Sequence, residues 1–422
     1  MSQLQSVRGT KDILGKDALL KEHFLKTFFD YAKRFGYSYI ETPIFEYTSV
    51  FKRTLGETSD IVGKEMYTFE DRGGDSLTLR PEGTAPCVRA LIENGLTQTL
   101  PQKFFYQGPM FRYERPQKGR SRQFHQACVE YIGVASPLAD VEVISLAANL
   151  LKALDINDVV LHINTLGDTD SRLAYRDALV HYFTPFKGDL SKDSLERLLK
   201  NPLRILDSKD AKDQEIVYNA PLFEQYLNDS SKAFYQSVLK GLDALKIDYV
   251  KQQTLVRGLD YYTHTAFEFK TTSLGAQDTV LAGGRYDHLV SQMGGGVDIP
   301  AIGFGMGIER ACLLMDNTHI KQKAIFGIIP IGESDFENGL ILAQRLRHEG
   351  LNIEMPLQGN LGKRFKQLER IGGGYAIVFG SNEWEKNTVT LKNLKTQDPS
   401  LKEISIDIQN LSHYLKNIEK TK

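Results

Sequence analysis

At 422 residues the chain exceeds a comfortable single core, so two or three domains are expected. Lys+Arg 52 against Asp+Glu 53 leaves a formal net charge of −1; bulk charge does not advertise a polyanionic partner, although a local basic patch stays open. Cys87, Cys128 and Cys312 lie far apart and form no Cys-x-x-Cys pair, which argues against a disulfide scaffold or zinc ribbon and favours a reducing, cytoplasmic setting.

The opening MSQLQSVRGTKDILG has charges where a signal peptide needs an apolar run, and no later stretch is long enough to span a bilayer, so no membrane partner is expected. None of the nine histidines pairs with another at helical metal-ligand spacing, and no dedicated metal site is expected.

Residues 17–35 place Leu20, Phe24, Phe28, Ala32 and Phe35 on one helical face, with Gly36 as a C-cap. A short strand-like segment closed by Pro43 follows and suits a sheet edge or a subunit contact. Leu77-Thr-Leu-Arg80-Pro81-Glu82-Gly83-Thr84 reads as a strand ending in a rigid turn before a helix from Cys87. Glu82 and Thr84 there either face a cleft or cap the helix. The stretch FRYERPQKGRSRQFHQACVE, residues 111–130, predicts two strands joined by a cationic loop holding Arg115, Lys118, Arg120 and Arg122. Such a loop can meet phosphates while the alternating Phe124, Gln126, Cys128 and Glu130 line a strand face.

A helix over 140–154 and a strand over 159–165 come next, and then a helical stretch over 171–250 that carries no motif of chemistry. Strands are predicted over 254–263, 266–269 and 280–287, with Gly283-Gly284 marking a bulge or a close backbone approach. Gly303, Gly305 and Gly307 alternate with apolar residues, leaving room for a flat ligand, and Arg310 follows at a helix start. From residue 325, an apolar strand and further strands over 351–357, 375–379, 389–394 and 404–408 interleave with helices over 335–349 and 361–371 and a last helix from 409. They predict a separate small α/β domain. Lys363, Arg364, Lys366 and Arg370 on its second helix read as a solvated face or an RNA-facing patch.

In order along the chain, the proline-closed segment, the FRYE hairpin and the glycine strand ending in Glu309-Arg310 resemble the three motifs of class II aminoacyl-tRNA synthetases. Two further stretches, LVRGLDYY at 255–262 and AGGRYD at 282–287, are similar to signatures of the histidyl-tRNA synthetase family; Gly15 and His288 depart from its usual pattern. The resemblance implies an α+β fold: a six-stranded antiparallel catalytic sheet flanked by helices, a helical insertion and a C-terminal anticodon-binding domain. The implied division is 1–170 and 251–322 for the catalytic domain, 171–250 for the insertion and 323–422 for the anticodon-binding domain. It also implies a homodimer with the Pro43 region at the interface.

The implied reaction joins L-histidine to ATP as an adenylate, with Mg2+ offsetting phosphate charge, and then passes the histidyl group to tRNA(His). By resemblance Arg112 and Arg257 are catalytic at the α-phosphate. Arg112, Glu114, Phe124 and Arg310 bind ATP, and Glu82, Thr84, Gln126, Glu130, Arg257, Tyr261 and Tyr262 bind histidine, while Gln117 and Arg120 meet the acceptor end. The rival class is a catalytically inactive, synthetase-like regulatory protein that binds histidine. It is expected to lose the phosphate-gripping arginines or the C-terminal domain, both of which stand here.

Overall fold

The computed structural model describes residues 4–55, 61–117, 119–256, 261–275, 278–316, 323–396, 398 and 402–420. The chain forms two compact units, Met1–Thr318 and His319–Lys422.

The first unit opens with helix α1 (Gly15–Arg34), which buries Leu20, Phe24, Phe28 and Ala32 one turn apart and is followed by Gly36 at φ +80°. Next come β1 (Ser38–Tyr39), β2 (Phe45–Tyr47), α2 (Thr48–Leu55), β3 (Tyr67–Glu70), β4 (Ser76–Leu79) and α3 (Thr84–Glu93). The predicted hairpin is β5 (Gln102–Phe111) with β6 (Gln123–Ile132), paired from Gln102 opposite Ile132 to Phe111 opposite Gln123. Helix α4 (Pro137–Ala153) and strand β7 (Val160–Thr165) follow. Helices α5 (Thr169–Phe183), α6 (Lys192–Lys200), α7 (Ala211–Val217) and α8 (Asp229–Ala244) then build the helical stretch, which returns through β8 (Tyr249–Lys251). Strands β9 (Thr263–Lys270) and β10 (Thr279–Arg285), short helix α9 (Leu289–Gln292), strand β11 (Ala301–Gly307) and helix α10 (Ile308–Leu314) complete it.

One sheet organises these elements, in the order β1-β5-β6-β11-β10-β9-β7-β8. Its inner six strands run antiparallel throughout, and the short edge strands β1 and β8 add on in parallel, so the expected six-stranded sheet has eight strands. A second small sheet has the order β2-β4-β3. Helix α1 packs on the main sheet through aromatic edges, with Phe28 and Phe29 5.6 and 5.0 Å from Phe105 of β5.

The strand expected over 254–263 does not form in its described part. Asn164 Nδ2 donates to the carbonyls of Gln253 and Leu255 at 3.1 and 2.9 Å, so a side chain takes acceptors that a ladder would use. Residues 257–260 lie outside the described residues, and β9 begins at Thr263.

The second unit contains β12 (Ile325–Pro330), α11 (Phe336–His348), β13 (Asn352–Glu354), α12 (Leu361–Arg370), β14 (Tyr375–Phe379), α13 (Ser381–Glu385), β15 (Thr388–Asn393), β16 (Glu403–Asp407) and α14 (Ile408–Lys420). Its sheet order is β13-β12-β14-β15-β16, parallel around β12 and antiparallel from β14 onward. β13 stops short of the expected residue 357, because Pro356 has no N–H to donate to a ladder. Arg364 corrects the reading of α12 as a wholly charged face. It is buried, donates to the Pro330 carbonyl at 2.6 Å and sits over the Phe336 ring, while Lys363, Lys366 and Arg370 are exposed.

Candidate active site

A cavity of about 820 Å³ opens on the face of the main sheet where β6, β9, β10 and β11 meet α1, α3 and α10. Its two ends differ in chemistry.

At the inner end stands Glu130 of β6, 1% exposed. Thr84 Oγ1 and Tyr106 Oη each donate to its Oε1 at 2.8 Å, and Tyr286 Oη donates to its Oε2. Burial pushes this carboxyl up to about 7, against the pull of the three hydroxyls. Gly303 on β11 is required beneath it: a Cβ there would stand 2.0 Å from Glu130 Oε2. The flat-ligand reading of the glycine strand therefore fails at Gly303, which makes room for a carboxylate. At Gly307 a Cβ would meet nothing nearer than Arg310 Cδ at 3.6 Å, and there the floor is open.

Glu82 and Thr84 divide the two roles left open by the sequence. Glu82 accepts from the main-chain N–H groups of Thr84 and Ala85 at 2.8 and 2.9 Å and so caps α3, while the Thr84 hydroxyl turns to Glu130. Burial raises the Glu82 carboxyl too, although those two N–H groups oppose the shift. Tyr261 and Tyr262, buried and 4.6 Å apart, and the half-buried Gln126 line the same end.

At the outer end, Arg112 donates from Nε to the Pro81 carbonyl at 2.8 Å, and its guanidinium carbon is 5.3 Å from the Phe124 ring centre. Arg120 Nε pairs with Glu114 Oε2 at 2.9 Å. Arg310 donates to the carbonyls of Gly119 and Thr279 at 2.9 and 2.8 Å. Burial lowers its pKa, and the neighbouring Arg120 and Arg112 lower it further: these guanidiniums are crowded where a polyanion would relieve them. The hairpin loop is clasped by the start of the chain, where the Gly9 carbonyl accepts from Arg122 N at 2.7 Å and Thr10 N closes a turn onto the Val7 carbonyl at 2.9 Å.

Thus Glu82, Thr84, Arg112, Glu114, Arg120, Phe124, Gln126, Tyr261, Tyr262 and Arg310 line one cavity, and Glu130 is buried against it. Gln117 is exposed, joined to Arg120 across the loop turn, and lies outside that lining; Arg257 and Lys118 fall outside the described residues. Sequence reading missed several contributors. Tyr106 comes from β5 and Tyr286 from just past the end of β10, and only the order of strands in the sheet brings them to Glu130. Lys11, Lys16 and Lys21 enter from the amino-terminal segment and α1. Asp207 and Lys209 come from the helical stretch read as free of chemistry. Among the described residues no group of three His, Cys, Asp or Glu is arranged to hold a metal ion, and no helix is long and apolar enough to cross a membrane.

An antiparallel sheet bearing a basic hairpin, a glycine-floored strand and an arginine at the next helix start is the catalytic unit of a class II aminoacyl-tRNA synthetase. The family model for histidyl-tRNA synthetase matches residues 9–171 and 199–311, and that for the anticodon binding domain matches 326–418. The chain is 53% identical over 395 residues to a histidine–tRNA ligase of Rhodospirillum rubrum, covering 93% of this chain and 95% of the relative. The structure of apo S. aureus histidyl-tRNA synthetase superposes with a TM-score of 0.81 at 34% identity, covering 98% and 100%. A Bacillus halodurans protein described as an ATP phosphoribosyltransferase regulatory subunit/histidyl-tRNA synthetase shares the fold, with a TM-score of 0.67 at 22% identity, covering 90% of this chain and 99% of that one. The chain belongs to the histidyl-tRNA synthetase family.

Proposed function

We propose that the histidine–tRNA ligase activity of this chain is carried out in the cavity just described, with L-histidine at the Glu130 end and ATP at the arginine end. The observation that carries this reading is the pairing of a crowded set of guanidiniums in one cavity with a hydroxyl-ringed carboxylate buried against its other end. The carboxylate is suited to hydrogen-bond an imidazole and the guanidiniums to grip a triphosphate.

In the first step the histidine carboxylate oxygen attacks the α-phosphorus, the bond to the bridging oxygen breaks, and pyrophosphate leaves. Arg112 and Arg257 stabilise the charge that develops on the α-phosphate; Arg310 holds the γ-phosphate. Phe124 covers adenine, and Glu114 accepts from its amino group. Glu82, Thr84 and Gln126 hold the α-amino group, while Glu130, Tyr261 and Tyr262 read the imidazole. In the second step a hydroxyl of the terminal tRNA ribose attacks the acyl carbon and AMP leaves, with Gln117 and Arg120 at the acceptor end. No side chain acts as nucleophile; positioning and preorganised charge supply the acceleration.

Magnesium, when bound, would supply countercharge to the phosphates. Glu268 of β9 and Asp278 just before β10 line the cavity, both paired with Lys270 at 3.3 and 3.6 Å, and would offer it hard oxygen donors. The exposed Tyr39, Ile44, Phe45, Tyr47 and Phe69 around Pro43 support a homodimer formed through this face. We keep the division 1–170, 171–250, 251–322 and 323–422 and a cytoplasmic location as part of the same reading.

The test is histidine-dependent exchange of labelled pyrophosphate into ATP. Folded protein that gives no exchange overturns the proposed site chemistry and favours a histidine-binding regulator. Arg257→Ala is expected to slow single-turnover adenylate formation by orders of magnitude without unfolding the protein, and a near-normal rate removes Arg257 from the mechanism.

A further inference from the structure

The ladder between β11 and β6 runs from Ala301 opposite Ile132 to Gly307 opposite Gln126, where the chain turns into α10. The next residue of β6, His125, thus has no strand partner on that side, and a side chain takes the place of one. Its main-chain N–H donates to Glu309 Oε2 at 2.9 Å and Oε1 at 3.1 Å, and its Nδ1 lies 2.7 Å from Oε1. Both side chains are largely buried. Burial raises the Glu309 carboxyl, but the bonds and charge from His125 outweigh it and hold the group below its ordinary value, so it stays ionised at neutral pH.

The neighbours of this pair give it meaning. Phe124 immediately precedes His125 and Arg310 immediately follows Glu309, while Gln126 on the other side of His125 is held by its own ladder to Gly307 and Gly108. The far end of Arg310 is already held by the Gly119 and Thr279 carbonyls, so the staple fixes its near end to the strand that carries Phe124.

We propose that His125 and Glu309 are positioning residues for ATP: they set the spacing between the Phe124 ring and the Arg310 guanidinium across the cavity, and thereby nucleotide affinity, without touching the histidine end. The inference rests on the nucleotide roles proposed above for Phe124 and Arg310. A guanidinium displaced by a fraction of an ångström loses its grip on a phosphate while leaving the far end of the cavity intact.

Pyrophosphate exchange by the full chain, with KM measured separately for ATP and histidine, decides the matter. Glu309→Ala is expected to raise KM for ATP about tenfold and to leave KM for histidine within about twofold. Glu309→Gln keeps an oxygen for the His125 N–H and is expected to restore most of the ATP affinity. The His125→Ala/Glu309→Ala double variant is expected to be no worse than Glu309→Ala alone, because the two residues act as one unit.

A merely structural staple would instead lower the melting temperature and raise both KM values together, and that result overturns the proposal. Phe124→Ala and Arg310→Ala are the references. If they raise KM for ATP and Glu309→Ala does not, the staple is idle and the proposal alone fails. If they leave KM for ATP unchanged, the nucleotide reading fails and takes the proposal with it. Should Glu309→Ala not fold, His125→Ala, which removes the imidazole contact and keeps the main-chain N–H bonds, must show a smaller but still ATP-selective shift, and its absence overturns the proposal.

Discussion

Glu130 is the residue whose environment is most open to titration. Burial raises its carboxyl from 4.5 to about 7, so the folded protein holds this proton more tightly than the unfolded chain. The contribution to stability is fully present below about pH 4.5 and is lost as pH rises through about 7. Glu130→Gln is expected to flatten that decline, by a few kcal/mol at most, in urea unfolding of the ligand-free protein across this range. In exchange assays the same variant is expected to harm histidine use more than ATP use; equal harm to both would make Glu130 structural. At Gly303 the prediction is steric. Gly303→Ala puts a methyl 2.0 Å from Glu130 Oε2 and 2.4 Å from the Val129 carbonyl. A loss of at least ~1–3 kcal/mol with failing histidine activation is expected, by denaturation and exchange respectively. A glycine at a strand position announces a close approach in the sequence, but not what approaches. Glu130 itself was legible from strand alternation and motif resemblance, whereas its partners, Tyr106 of β5 and Tyr286 just past β10, are brought to it only by the fold.

At the level of elements, the end of β10 is anchored by Arg285, whose guanidinium pairs with Asp140 of α4 at 2.6 Å and also reaches the Val134 and Ser136 carbonyls. Thr265 adds a bond to Asp140 at 2.6 Å, and the Phe234 ring of α8 lies against the guanidinium. Burial raises the pKa of Asp140, while the countercharge of Asp140 outweighs burial at Arg285 and raises it there. Arg285→Ala leaves Asp140 buried and unpaired. A loss of ~3–5 kcal/mol is expected in chemical denaturation, together with weaker histidine use, because Tyr286 next in the chain bonds Glu130. The hairpin was readable from its cationic, glycine-broken loop between strand-like flanks, and the apolar face of α1 from a period of about four that holds over many residues. The strand expected over 254–263 was not, because Tyr261 and Tyr262 belong to the cavity lining and the Leu255 carbonyl is taken by Asn164. Arg364 misled for a related reason: a charge in an amphipathic helix resembles a solvated one until its carbonyl acceptor on β12 is known.

Across the whole molecule, the second unit closes its own core around Phe326, Leu342, Ile377 and Leu411, all at most 1% exposed, beneath a five-stranded sheet. A fragment spanning 323–422 is therefore expected to unfold cooperatively on its own, with circular dichroism of a mixed α/β domain; a non-cooperative melt would show that it depends on the first unit. The change from alternating strands to a long helical stretch and then to a small α/β unit was visible in the hydrophobic pattern. That Asp207 and Lys209 of the helical stretch reach the cavity wall was not, since sequence spacing says nothing about where a long excursion returns.

The clasp of Gly9 on the hairpin loop bears on how the protein is handled at the bench. Because the Gly9 carbonyl receives Arg122 N, and the turn from Val7 to Thr10 presents it, the amino-terminal segment helps shape the hairpin loop at the arginine end of the cavity. An affinity tag fused close to this turn, or a trimming that removes it, would yield protein that purifies well and exchanges pyrophosphate poorly. A tag following α14 leaves the clasp as it is.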